Sequence, residues 1–162
     1  MSRVLRMLDS PRTMRWLFNI YPPYLMTGIV VREVSPDWRR VRVDMNLHWY
    51  NRNYFGTHFG GSLYAMTDPF LAIMLVRNLG PGYIVWDQSA EIEFLRPGRG
   101  RVTATFTLDQ AMVDAAREGT RDGQRFRPRV PVLVQDESGE LVARVHKQLY
   151  VREKSQRAGA AS

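Results

Sequence analysis

The chain contains no cysteine. Disulfides and thiolate metal sites are therefore excluded, and a reducing compartment, the cytosol, is the expected location. Long apolar runs are also missing. No segment reaches the ~18 uninterrupted apolar residues of a membrane helix. Residues 1–15 interleave Arg3, Arg6, Arg12 and Arg15 with short apolar stretches, unlike the continuous core of a signal peptide. No internal repeat and no dividing linker is visible, so the 162 residues read as one domain spanning 1–151, with a polar, small-residue tail over 152–162 that is expected to be disordered. Acidic residues are the scarcer charge: 16 against 23 basic ones, a formal charge of +7. That balance favours anionic partners. The arginines fall in separate places, however: Arg39, Arg40 and Arg42 in one, Arg96, Arg99 and Arg101 in a second, Arg121, Arg125, Arg127 and Arg129 in a third. A solvated basic surface accounts for them, and neither a nucleic-acid nor a membrane partner is expected.

The residues that are present change period along the chain. Residues 3–21 read as amphipathic helical turns with Leu5, Leu8, Trp16, Leu17 and Ile20 on the apolar side, stopped by Pro22-Pro23. Residues 27–34 are rich in β-branched side chains. Residues 40–47 alternate Val41, Val43 and Met45 with Arg40, Arg42, Asp44 and Asn46, which predicts a half-buried strand and, with the first, a hairpin. After a polar, aromatic loop over 48–59 comes the run 62–76, apolar almost all the way round and interrupted by Asp68 and Pro69. A helix without a polar stripe is surrounded by protein. Period two returns over 83–95 and 101–108. A short helix follows over 109–118, capped by Asp109 and ended near Gly119. Residues 119–129 read as a charged loop, and a last hairpin forms from 130–135 and 141–151.

A flat sheet cannot cover one helix on every side. The strands must curl around it, and their native twist favours that. The expected class is α+β: a curled antiparallel sheet around one long central helix, with an extra helix at the N-terminus. Such a sheet keeps exposed edges and leaves one flank of the helix incompletely covered. Pairing with a second copy answers both, so a homo-oligomer, a dimer or a dimer of dimers, is expected.

The loop and helix start carry Asn53, Gly56, Gly60, Gly61 and Asp68. This spacing resembles the hotdog-fold superfamily, and within it the thioesterases of the phenylacetate-pathway type, in an uncharacterised bacterial branch. Their motif has His before the two glycines. Here Phe59 stands in that place and His58 lies one residue earlier. The stretch 91–98, ending in Arg96-Pro97-Gly98, is similar to that family's strand after the helix. The resemblance implies an acyl-coenzyme A substrate and no separate cofactor. It also implies a polar side chain, from the strand after the helix, reaching a partner's site. Asp87, Gln88 and Ser89 occupy that stretch, and strand alternation puts Asp87 and Ser89 on one face. Arg96, Arg99 and Arg101 are candidates for the phosphates of coenzyme A, because guanidinium forks match phosphate oxygens. An exposed basic turn explains them equally.

The chemistry of the motif follows from its residue types. First-turn helix amides lack intrahelical partners and carry partial positive charge. Glycines there leave the backbone open, so the N–H of Gly60, beside Gly61, suits an oxyanion; losing one such donor typically costs about 3–4 kcal/mol in the barrier. The same glycines also suit a tight turn or close packing. A carboxylate in an apolar helix needs a reason. Asp68 is expected as a general base or nucleophile, or else as the cap that restarts a helix broken at Pro69. Asn53 is expected to bind the substrate carbonyl or a water, or to form an Asx-turn. Phe59 and His58 border the substrate position, His58 being read mainly as a loop side chain. His48 and His146 have no carboxylate or metal-ligand spacing, so no metal is expected. Three functions are compatible with this pattern: thioester hydrolysis, non-catalytic binding of an acyl thioester, and acyl-thioester dehydration, for which His58 has no evident acidic partner.

Overall fold

A computed structural model of the chain describes residues 10–154. The apolar positions Leu5 and Leu8 and the tail beyond 154 lie outside the described residues. The order is α1 (Pro11–Ile20), α2 (Pro22–Leu25), β1 (Ile29–Val34), β2 (Arg40–Asn46), α3 (Gly60–Ala65), α4 (Phe70–Leu79), β3 (Tyr83–Phe94), β4 (Arg101–Thr107), α5 (Gln110–Gly119), β5 (Arg125–Phe126), β6 (Arg129–Asp136) and β7 (Leu141–Glu153). The sheet runs β1-β2-β4-β6-β7-β3 with antiparallel pairings throughout, and β5 pairs with β7.

Alternation in the sequence becomes burial in the sheet. Val41, Val43 and Met45 of β2 pair with Phe106, Ala104 and Val102 of β4, and all six are buried. Val132, Val134, Val145 and Leu149 continue that inner face. Leu63, Met66, Phe70, Met74 and Leu75 press against it from the helical layer. Both expected hairpins form, β1–β2 and β6–β7. In the β6–β7 turn, Asp136 Oδ1 accepts the backbone N–H groups of Ser138 (2.9 Å) and Glu140 (3.1 Å).

Four details differ from the sequence expectation. The central helix begins at Gly60 and reaches Leu79, longer than 62–76, and breaks between Ala65 and Phe70. Proline lacks an N–H, and the residue before it avoids helical angles, so the hydrogen-bond ladder stops and restarts there. The charged loop over 119–129 contains the two-residue strand β5. Arg152 and Glu153 belong to β7 rather than to a disordered tail, and Lys154 holds the strand end by donating its N–H to the Gly82 carbonyl (2.8 Å). Trp16 and Ile20 of α1 face outward, 61% and 48% exposed. Phe18 instead makes the inward contact, its ring 5.4 Å from that of Tyr24 and 5.2 Å from that of Phe70.

The two sheet edges are treated differently. At β1, the Asn19 side chain accepts the Val31 N–H (2.7 Å) and donates to the Val31 carbonyl (3.1 Å), so α1 closes that edge. The other edge is β3, 12 residues long, and its outer side pairs with no strand among the described residues. A long strand with unpaired backbone groups is a template for another chain.

Candidate functional site

A cleft of about 600 Å³ opens before α3, lined among others by Asn53, His58, Gly60, Leu63, Phe94 and Arg99. Its wall is a loop organised by its own amides. The Asn53 Oδ1 accepts the N–H groups of Phe55 (2.9 Å) and Thr57 (3.1 Å), while its Nδ2 donates to Thr57 Oγ1 (3.0 Å) and the His58 carbonyl (3.2 Å). Asn51 does the same deeper down, accepting from the His48 N–H (2.7 Å) and donating to the carbonyls of Thr27 and Asn46 (both 2.8 Å). Asn53 therefore shapes the cleft, with its amide already engaged by the loop as in an Asx-turn.

His58 is buried, with Nε2 2.9 Å from the Gly100 carbonyl and its backbone N–H bonded to the Gly98 carbonyl (3.0 Å). A carbonyl only accepts, so Nε2 carries the proton, and Nδ1 is left buried without a partner. Burial pushes the imidazole below its ordinary range, the Gly100 carbonyl opposes this, and His48 adds to it. His58 thus ties the loop to the β3–β4 turn.

Gly60 lies under the ring of Phe94. A Cβ built on it would stand 2.9 Å from Phe94 Cζ, and one on Gly61 would stand 2.4 Å from Phe59 Cε1. Close packing is thus one reason for both glycines. Phe94 and Phe59 are each 56% exposed, so both rings have room to move away from the amides they border.

Asp68 sits at the break between α3 and α4. It does not cap α4: Pro69 holds that position and makes no side-chain capping bond. Its Oδ1 lies 2.8 Å from the Nζ of Lys147, a side chain on β7 with no solvent exposure. The same ammonium lies 3.3 Å from Asp87 Oδ1 on β3, and 5.2 Å from the ring centre of Tyr64. Tyr24 donates its hydroxyl to the backbone carbonyl of Asp68. The Asp68 side chain is 46% exposed and that of Asp87 15%. Burial, with the Asp68 carboxylate beside it, pushes Asp87 up to about 6 against the pull of Lys147. Burial alone would lower the Lys147 ammonium; its hydrogen bond to Asp68 and the charges of Asp87 and Asp68 outweigh that and hold it above the ordinary lysine range. Asp68 borders two clefts. One, about 400 Å³, includes Ile73, Val76, Val85, Trp86 and Asp87; the other, about 380 Å³, includes Phe18, Tyr21, Tyr24 and Tyr64.

The carboxylate and the Gly60 amide do not line the same cavity within one protomer. The six residues of α3 alone span about 9 Å, and Asp68 lies beyond them, too far for both to touch one carbonyl group. Asp87 and Ser89 also separate, contrary to simple alternation. A bulge between them sets Asp87 opposite Leu149 and Ser89 opposite Gln148, and an extra residue reverses the facing of whatever follows it. Ser89 consequently joins a small polar pocket with Glu91, Arg129 and His146. Arg96 and Arg99 both line the Gly60 cleft; Arg96 is engaged by Asp136 and, at 3.9 Å, by Glu140, whereas Arg99 is exposed.

Sequence reasoning missed Lys147. Its signal lay in the alternation of β7: Val145, Lys147 and Leu149 occupy successive inward positions. A lysine between two core residues on the inner face announces a buried acid nearby.

Solved structures carry the same fold at low sequence identity. One is a protein of unknown function from Pseudomonas aeruginosa, described as a probable thioesterase. It is 18% identical, with a TM-score of 0.76 over 89% of this chain and 98% of that one. A thioesterase from Haemophilus influenzae is 18% identical, with a TM-score of 0.63 over 92% and 94%. The PaaI protein of the E. coli phenylacetic acid degradation operon is 15% identical, with a TM-score of 0.56 over 85% and 88%. These likenesses establish the hotdog fold. No curated protein matches the chain. Residues 11–151 match the family described as a domain of unknown function, DUF4442, and the chain belongs to that family.

Proposed function

We propose that the protein hydrolyses an acyl-coenzyme A thioester, at a site shared by two copies of the chain. The observation that carries this is the state of Asp68: a half-exposed carboxylate, held by a buried ammonium and left free of helix capping. The thioester names among the similar folds support the substrate class. A second copy pairing along the open β3 edge would bring Asp68 of one protomer toward the Gly60 cleft of the other.

Water then attacks the thioester carbonyl carbon. Asp68 accepts the proton that water loses, and the Gly60 N–H stabilises the oxyanion as it forms. The carbon–sulfur bond breaks, the thiolate leaves with the proton that Asp68 had accepted, and a carboxylic acid is released, so that Asp68 returns to its carboxylate. Phe94 and Phe59 swing clear of the glycines as the acyl group enters. Asn53 and His58 hold the loop, and Arg99 meets coenzyme A phosphate. No further cofactor takes part. The protein works in the cytosol.

A screen of acyl-coenzyme A compounds tests this, with Asp68→Asn as control. The expected loss of turnover in the variant is about 10²–10⁴-fold, with fold and oligomer unchanged. Mixing Asp68→Asn with Gly60→Val protomers should restore part of the activity, because one mixed site keeps both native groups. Full activity in Asp68→Asn removes this mechanism. Saturable binding without turnover across the panel points instead to a non-catalytic acyl-thioester module, which the engagement of the Asn53 amide by its own loop favours.

A further inference from the structure

Only two of the 23 cationic side chains are lysines, Lys147 and Lys154. Lys154 holds the end of β7 through the Pro81 carbonyl (2.6 Å). Lys147 is the one with no solvent exposure, and two carboxylates reach it from different segments. An arginine there would present a rigid planar fork. A lysine presents a compact charge with three donors that rotate about one bond. The two carboxylates are not equivalent. Asp68 takes a hydrogen bond at 2.8 Å. Asp87 Oδ1, at 3.3 Å, makes no aligned hydrogen bond and is buried without another partner. A buried, unsatisfied carboxylate oxygen within reach of an ammonium is an acceptor held in reserve.

We propose that Lys147 is a positioning residue, which aims Asp68 into its cleft and turns to Asp87 when Asp68 takes up a proton. This rests on Asp68 being the base of the proposed hydrolysis. Before the proton arrives, one ammonium faces two carboxylates. Once Asp68 is neutral, the ammonium still faces Asp87, so above about pH 6 the buried cation keeps a carboxylate beside it. Without Asp87, proton uptake by Asp68 would strand Lys147 in the core, which is strongly unfavourable. Without Lys147, two carboxylates would face each other, and one of them would hold its proton to higher pH.

The titratable groups around Lys147 among the described residues are Asp68 from the α3–α4 break, Asp87 from β3 and Tyr64 from α3. Tyr24 of α2 reaches the backbone of Asp68 from the other side. Burial is the first cause of the upward shift of Asp87 to about 6; the pull of Lys147 opposes it and the neighbouring Asp68 carboxylate adds to it.

The test uses the full chain, unmodified and as Lys147→Met and Asp87→Asn, with two readouts. The first is ¹³C NMR titration of the aspartate carboxylates, which needs no turnover. Lys147→Met should move the carboxylate midpoint of the cluster up by about 1 pH unit or more, and Asp87→Asn should move the cluster midpoint down, the opposite signs following from loss of an opposite and of a like charge. The second is the pH profile of kcat. Its acid limb should move in the same two directions. kcat should fall about tenfold in each variant, the equivalent of roughly 1.4 kcal/mol, with KM changing much less. Lys147→Gln substitutes if Lys147→Met does not fold. Unmoved carboxylate midpoints in both variants overturn the proposal, and so does a fall in stability with an unmoved acid limb. If the unmodified protein turns over no thioester, the hydrolytic reading and the exchange built on it fail together, and opposite NMR shifts then show only that Asp68 and Asp87 share the charge of Lys147.

Discussion

The two ends of α3 are built in opposite ways. At its start, polar side chains serve their own loop: Asn51 and Asn53 bond to atoms mostly within a few residues, and His58 ties that loop to the β3–β4 turn. At its end, the charges come from far apart in sequence, with Asp68 on the helix break, Asp87 on β3 and Lys147 on β7. The first region is a scaffold in which each hydrogen bond has one settled partner. The second is a cluster in which one cation has two partners and can choose. A site that must gain and lose a proton needs the second kind of region, and it needs the first kind to keep its geometry while that happens.

Replacing Lys147 by alanine attacks the cluster and should have the largest effect on stability, about 3 kcal/mol in urea unfolding. Breaking a fully buried ion pair costs about 3–5 kcal/mol; the lower end applies because Asp68 is half open to solvent. Asn53→Ala attacks the scaffold and should lower stability by about 2 kcal/mol, given ~0.5–1.5 kcal/mol for each hydrogen bond lost and the entropy a freed loop regains. Its turnover defect should be recovered in part at low temperature, unlike that of Asp68→Asn. A smaller effect, confined to the pH dependence of stability, belongs to His58. Its native pKa lies below the ordinary 6.5, so below pH 6.5 the unfolded chain binds a proton that the native one refuses. The stability from His58 is complete above pH 6.5 and declines as pH falls toward the lowered native value. Comparing unfolding across pH 5–8 with His58→Gln should flatten that limb. The smallest effect is at Gly60→Ala, a loss below the ~1–3 kcal/mol of an overpacked core, because the exposed Phe94 ring can give way. Phe94→Ala in the same chain should cancel most of it in a double-mutant cycle.

The hairpins, the buried helix and the insertion capped by Asp109 were legible in the sequence, because period two and an unstriped apolar run translate directly into burial. So was the importance of Asp68, an acid where the helix is otherwise apolar. The partner of Asp68 was not legible. Lys147 lies 79 residues away, and nothing local in β7 names the acid it meets. Ser89 was misplaced for a related reason. The bulge beside Asp87 is a property of how β3 pairs with β7, and the residues at 87–89 alone do not announce it. Asn53 carried both outcomes in its sequence context, and the loop took its amide because four nearby backbone and hydroxyl groups were within reach.

By itself the sequence determined the long strands and the central helix, the inner faces of β2 and β4, and that the central helix would break at Asp68-Pro69, since each of these depends on neighbours a few residues apart. Only the tertiary structure decided that a lysine of the last strand stands between two aspartates, that one sheet edge is closed and the other unpaired among the described residues, and that Gly60 and Asp68 border different clefts. Charge pairing and edge closure are long-range. They depend on which segments the curled sheet brings together, and no local pattern of residues encodes that.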